Sequence, residues 1–305
     1  MSALLNEKPN RWRVLMLVLA RAPLWLLMAS MLLPYYWMTI GAFKTAPELV
    51  QTPPTFWVEK ATLQNFYDPG YVGNEQDADH WAGIFQLVSE GHGFGHYYLN
   101  SLAVTLFVTV VSILAASFVA FVLTKKPFPG SRMLFNLLLA SMMVPWEVTI
   151  IPNFLTVAQL GWINTYPALL VPGLAKAFVV FYFRQVILSV PSDLVDAATM
   201  DGAGTVRIWW SVVLPLLRPA LAAIAIPVAI AEWNNFLWPL LVINDSAHMT
   251  LPLQLGKLAG NLSYNPQSAA VLMAGSLVVS LPAVAAFLYF QRQFLAGLTA
   301  GATKG

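Results

Sequence analysis

Cysteine is absent from all 305 residues, which excludes a disulfide framework, a thiolate nucleophile and cysteine-ligated zinc. Charge is nearly as scarce, with Asp, Glu, Lys and Arg together making up 10% of the chain against roughly a quarter in an ordinary soluble domain. So few charges cannot cover the surface of a soluble domain of this length. The 16 basic and 14 acidic residues leave a net charge of only +2. No bulk basic field exists for nucleic acid, and none is expected as a partner. A G-x-x-x-x-G-K-[ST] phosphate cradle is missing too, because the one Gly-Lys pair, Gly256-Lys257, is followed by Leu258. The 58% apolar content excludes a disordered chain. What is abundant is lipid-compatible sequence, and the chain reads as an all-α integral membrane protein in contact with lipid.

The gaps between charges locate the spans. No charged residue falls between Arg21 and Lys44, and a helix needs about 20 residues to cross the hydrocarbon core. This run is too long for a signal-peptide core and lacks a small-x-small cleavage site, so it is expected to be a retained first helix. A second uncharged run extends from Tyr97 to Thr124. A third span is expected over Met133 to Thr156, with Glu147 inside it and a bend between Pro145 and Pro152. The fourth covers Asn164 to Phe183 with Lys176, the fifth Leu214 to Ile243 with Glu232, and the last Ser268 to Phe290. The expected architecture is six transmembrane helices.

Charge asymmetry orients them. Lys8, Arg11, Arg13 and Arg21 precede the first span, and Lys125, Lys126 and Arg132 follow the second. Arg184, Arg207 and Arg218 surround the loop after the fourth, and Arg292 and Lys304 follow the last. These segments hold 12 of the 16 basic residues, so the positive-inside rule predicts cytoplasmic N and C termini.

The long outer loop, Lys44 to His96, carries acids, aromatic residues and three histidines, His80, His92 and His96. The histidines invite a metal reading. However, Gly91, Gly93 and Gly95 disfavour a helical face shared by His92 and His96. No metal site is assigned, and the loop reads as a contact surface with Trp57, Phe66, Tyr71, Trp81 and Phe94 packed on helices or a partner.

The inner loop after the fourth span has its own punctuation. Pro191 with Ser192 or Asp193 suits a helix start, and Asp193 and Asp196 have capping-box-like spacing. Leu194, Ala197, Ala198 and Asp201 share a helical stripe. Gly202 suits the left-handed residue that ends a helix, Thr205 suits a second start, and Pro215 and Pro219 mark entry to the next span. A small helix-turn-helix at the cytoplasmic surface is predicted, with little bulk to keep a partner from its backbone. The same residues also suit a capped loop with no partner.

Asp196-Ala197-Ala198, then Gly202, Ile208 and Leu214-Pro215 at fixed intervals, resemble the EAA motif of the membrane-spanning subunits of bacterial ABC importers. The likeness is to the carbohydrate branch, maltose-type second permeases, whose members carry maltose, lactose or glycerol phosphate. Phe43-Lys44-Thr45 with Glu48-Leu49, Leu99-Asn100-Ser101, Met143 to Pro152, Asn164-Thr165-Tyr166, Glu232 to Pro239 and the ending Gly297 to Gly305 resemble it as well. Asp196 stands where the motif usually has Glu, one methylene longer.

The resemblance implies a type I ABC importer permease fold in the bacterial cytoplasmic (inner) membrane. It implies three segments: 1–97, with the N-terminal tail, first helix and outer loop; 98–291, the transmembrane domain with coupling loop 191–215; and 292–305, a cytoplasmic tail. Expected partners are a second homologous permease, a cytoplasmic ATPase dimer and an extracytoplasmic sugar-binding protein. In such importers the loop seats in a cleft of the ATPase, which makes Asp193, Asp196, Ala197, Ala198, Asp201, Gly202, Ala203, Ile208, Leu214 and Pro215 the coupling residues. The chain is then no enzyme and holds no cofactor, with ATP and Mg bound by the partner ATPase.

Glu147, Lys176 and Glu232 lie within expected spans, where an ionisable group costs about 3 kcal/mol, so each must face protein or water. They read either as pathway-lining residues or as a charge pair at an interface. Trp233, Asn234, Asn235 and Trp238 have the chemistry to stack on and bond a sugar, or the tryptophans form an interfacial belt. A non-sugar solute is an alternative cargo. The intramembrane charges also suit an ion-coupled carrier, although no internal repeat is evident. A membrane enzyme finds no catalytic constellation here.

Overall fold

The computed structural model describes residues 11–68, 83–86, 88–89, 92–260 and 268–302. Glu75, Asp77, Asp79, His80, Trp81, Tyr71 and Glu90 of the outer loop lie outside the described residues. The chain divides into one unit of Met1–Ile84 with Asn261–Val278, and a second of Phe85–Gly260 with Val279–Gly305. Among the described residues four helices are long and apolar enough to cross a membrane, or up to six spans if each of two bent helix pairs is one span.

In the first unit, α1 (Arg11–Phe43) carries Pro23 and Pro34 inside it, and Arg21–Phe43 is its apolar stretch. The short α2 (Ala46–Val50) follows at once. Lys44 and Glu48 are buried there. The Lys44 ammonium donates to the carbonyl and hydroxyl of Thr55 and lies 5.1 Å from the Trp37 ring centre. Glu48 Oε1 accepts from the Glu59 amide at 2.8 Å. Asn65 Nδ2 donates to the carbonyls of Ala42 and Lys44 at 2.9 and 2.7 Å. Each buried polar head therefore has a partner, as burial demands, and the outer loop is tied to the end of α1.

The second unit is built on α3 (Phe94–Lys125), 32 residues long, half buried along its apolar window and packed against neighbours on several sides. Its start at Phe94 puts the expected 97/98 boundary inside its first turn. Ser112, Ala116 and Ala120, four residues apart and buried, let neighbouring backbones come close, which is how membrane helices pack without a hydrophobic driving force.

The third expected span is not one bent helix. It is α4 (Ser131–Ser141) and α5 (Trp146–Gln159) at 105° to each other. Pro145 lacks an amide hydrogen and cannot continue α4, whereas Pro152 is accommodated within α5. The fourth is α6 (Tyr166–Leu174) and α7 (Ala177–Leu188), broken at Ala175 and Lys176. It starts beyond Asn164, which adopts φ 60° and whose Oδ1 accepts the Asn244 amide at 2.6 Å.

The inner loop forms α8 (Ser192–Met200), and α9 (Thr205–Ile208) runs through a π-turn at Trp209–Val213 into α10 (Leu214–Leu216). The fifth expected span differs most. It bends by 83° at Leu217, continues as α11 (Arg218–Trp233), and ends in a separate α12 (Leu237–Val242). Then come α13 (Leu251–Gly260) and α14 (Ser268–Ala302). Because α14 is helical to Ala302, the expected tail from 292 is largely a continuation of the last helix. Two-residue strands β1 (Val88–Ser89) and β2 (His92–Gly93) pair antiparallel before α3.

Candidate functional site

Helix breaks free backbone groups that cannot face lipid, so they collect where protein lines a cavity. A cavity of about 270 Å3 is lined by α5, α6, the α6–α7 break, the end of α11 and the start of α12. Lys176, Glu232 and Asn235, singled out by sequence, line it together. Lys176 Nζ donates to Glu232 Oε1 at 2.6 Å, and Glu232 is nearly buried. The two charges thus form a pair. Glu147 is not part of it: its side chain is exposed and has no ion-pair partner among the described residues.

The tryptophans divide by role. Trp233 is buried, donates from Nε1 to the Val279 carbonyl at 3.0 Å and meets Tyr98 edge-on, so it holds helices together and does not face the cavity of the ion pair. Trp238 Nε1 donates to the Ala168 carbonyl at 2.8 Å, which leaves only part of its ring on the cavity wall. Asn234 turns back on its own helix, donating to the Ile230 carbonyl. Trp146, Thr149 and Asn153 were missed. They line the cavity from one face of α5, with Trp146 exposed and its ring 5.8 Å from that of Trp238. Their i, i+3, i+7 spacing was the available signal. The chemistry on offer is an exposed indole face, amide and hydroxyl groups, and a neutralised charge pair, which suits a neutral polyhydroxylated solute. The volume lies just below the usual range for ligand sites, about 300 Å3 upward.

In the 191–215 loop, α8 starts, Gly202 takes φ 76° and α9 starts where the sequence predicts. The capping differs. Pro191 occupies the cap position without a side-chain bond, and the Ser192 hydroxyl instead accepts from Lys125 Nζ at 3.1 Å. Lys125 also donates to the Val190 carbonyl at 2.6 Å, and Lys126 donates to Thr199 Oγ1 at 2.9 Å. The end of α3 thus holds α8 at both ends. Val195, Ile208 and Trp209 are buried in the core cluster with Phe121, Phe183 and Leu217. Asp193, Asp196, Ala197, Asp201 and Gly202 are exposed, Ala198 and Ala203 half-buried. Leu194, Met200, Val206 and Trp210 are exposed as well, so an apolar patch with acidic edges faces outward. Leu214 and Pro215 lie in α10, with no contact to that patch required by their position.

Away from that loop, Asn100 Nδ2 donates to the carbonyls of Ala247 and Met249, and its Oδ1 accepts from the Tyr166 hydroxyl at 2.8 Å. Ser101 Oγ accepts the Leu251 amide at 2.7 Å. The Leu99-Asn100-Ser101 segment therefore pins the entry to α13. His92 lies on β2 and His96 on α3, yet their rings are 4.4 Å apart. Among the described residues no group of three His, Asp or Glu residues has metal-binding geometry.

Comparison with known proteins matches residues 109–294 to the family described as binding-protein-dependent transport system inner membrane component. The chain is 34% identical over 268 residues to the arabinooligosaccharides transport system permease protein AraQ of Halalkalibacterium halodurans, covering 87% of this chain and 88% of that protein. It is 30% identical to the lactose transport system permease protein LacG of Rhizobium radiobacter, over 87% and 88% of the two chains. The fold matches a chain in the crystal structure of a bacterial ABC transporter involved in the import of the acidic polysaccharide alginate. The TM-score is 0.75 at 22% identity, covering 95% of this chain and all of that one. With its broken spans, its helix-turn-helix over 192–208 and this match over most of its length, the chain belongs to the binding-protein-dependent transport system inner membrane component family.

Proposed function

We propose that this chain is the permease subunit of an ATP-driven importer for a sugar or sugar derivative. It pairs with a second, homologous permease, receives cargo from an extracytoplasmic binding protein, and docks on a cytoplasmic ATPase dimer that binds ATP and Mg. Both termini lie in the cytoplasm. The observation that carries the reading is α8, a short exposed helix whose apolar patch has no cover among the described residues while its inner face is locked into the core. A push on α8 is delivered to α3 through Lys125 and Lys126, and to α7 and α11 through Val195, Ile208 and Leu217. A packed core transmits such a push as rigid movement. The relatives' names support sugar as cargo, and the cavity of Trp146, Asn153 and Asn235 suits stacking and hydrogen bonding. Its modest volume fits a site completed by the second permease.

Gly202→Asp tests the coupling role. A Cβ at Gly202 meets nothing within 4 Å, so the variant is expected to lose only the left-handed freedom of glycine, about 1–2 kcal/mol, and to insert. ATP-dependent uptake is expected to be abolished, while ATPase co-purification weakens. Wild-type uptake by an inserted Gly202→Asp protein overturns the proposal.

A further inference from the structure

A second cavity, about 460 Å3, opens among the C-terminal ends of α3 and α7 and the N-terminal end of α4. It lies at the same end of the molecule as α8, because α7 ends at Leu188 and α8 begins at Ser192. Arg132 and Asn136, one turn apart on α4, face Arg184 and Leu188, one turn apart on α7, and no carboxylate lines the space. The Arg184 guanidinium stacks 4.0 Å from the centre of the Phe135 ring. Its Nε is buried with no hydrogen-bond partner, and neither arginine has an acidic partner among the described residues. A buried guanidinium donor left unmatched is costly, and it points to an acceptor that completes it. The N-terminus of α4, at Ser131, lines the same space and adds positive field. Leu188 of the lining is exposed, as are Phe128 and Met133, the chain neighbours of the lining residues Pro127 and Arg132, a setting that suits acyl chains beside the headgroup.

We propose that this cavity binds the phosphodiester of an anionic phospholipid, with Arg132 and Arg184 gripping the phosphate oxygens from two helices. Guanidinium forks match phosphate oxygens two at a time, and basic pockets between membrane helices on the cytoplasmic side are suited to anionic headgroups. Bridging α4 to α7, the lipid braces the bent α4–α5 pair, of which α5 lines the ion-pair cavity. The site is independent of the cargo and of the ATPase.

The test is calorimetric titration of the intact detergent-purified importer with dioctanoyl phosphatidylglycerol, dioctanoyl phosphatidylcholine or inorganic phosphate. Phosphatidylglycerol is expected to bind about tenfold or more weakly to the Arg132→Gln/Arg184→Gln variant. Arg21→Gln, which removes an exposed charge elsewhere, leaves its affinity unchanged. Arg132→Gln alone removes an exposed side chain and keeps the test open if the double variant does not fold, with a loss of about threefold or more expected. Phosphatidylcholine and inorganic phosphate are expected to bind about tenfold or more weakly than phosphatidylglycerol. Unchanged phosphatidylglycerol affinity in the arginine variants, or an equal loss in Arg21→Gln, overturns the site. Inorganic phosphate binding as tightly as the lipid overturns the headgroup in favour of a free anion.

Discussion

Lys176 and Glu232 each stand at a helix break. The anion sits in the last turn of α11, against that helix's dipole, while the cation lies between the end of α6, which favours it, and the start of α7, which does not. Each therefore depends on the other. Removing one charge, as in Glu232→Gln, is expected to destabilise the protein by about 1–3 kcal/mol, discounted from the fully buried case because Lys176 is partly exposed. The double variant Lys176→Met/Glu232→Gln is expected to recover most of that loss, read as the coupling energy of a double-mutant cycle in thermal unfolding. Additive losses would mean that the two charges act separately. Trp146 behaves differently because its ring is exposed on the cavity. Trp146→Ala is expected to leave the melting temperature within a degree or two, as exposed substitutions do, while raising the KM of uptake severalfold. Trp238→Phe strips a buried carbonyl of its donor and costs stability instead, about 1 kcal/mol.

Among the elements, those closed by special backbone chemistry were legible, and those closed by long-range contacts were not. Gly202 and the Thr205 start were readable because only glycine takes φ 76° without strain. The cap was misjudged because Ser192 finds Lys125, a residue far away in sequence, and a distant cation outcompetes the local amide. Pro145 signalled a bend, yet its size depends on where α5 can pack, which no proline encodes. The outer loop offers a direct check on such packing. A Cβ on Gly83 would come within 2.5 Å of the Tyr67 amide nitrogen and 2.7 Å of the Gln64 carbonyl. Backbone cannot step aside as a side chain can. Gly83→Ala is expected to cost about 1–3 kcal/mol and to open the 44–68 segment to limited proteolysis with Lys44 and Glu48 unchanged in sequence. Undiminished protection would show that this loop packs otherwise.

For the whole molecule, absence becomes an experimental asset. A chain without cysteine accepts single reporters without background labelling. Met200→Cys, on the exposed patch at a residue 88% exposed, is expected to crosslink to the proposed ATPase partner in membranes. Ile187→Cys, fully buried, serves as the silent control, and equal behaviour of the two would remove the docking surface. Reporters active only in the cytoplasm are expected to work at both termini, whereas a reporter in the 44–68 loop is expected to fail. What the sequence determined by itself was the membrane class and where the candidate spans lie, because each is a property of composition and spacing along one strand of chain. It also placed Lys176 and Glu232 among the candidates. Only the tertiary structure decided that these two pair with each other, that Trp233 bonds a carbonyl on α14, that Trp146 is the ring exposed on the cavity, and that Arg132 and Arg184 line one cavity. Those outcomes depend on which helices meet at their broken ends. Partner choice for a buried polar group is settled by distance in space, where residues far apart in sequence compete on equal terms with near ones.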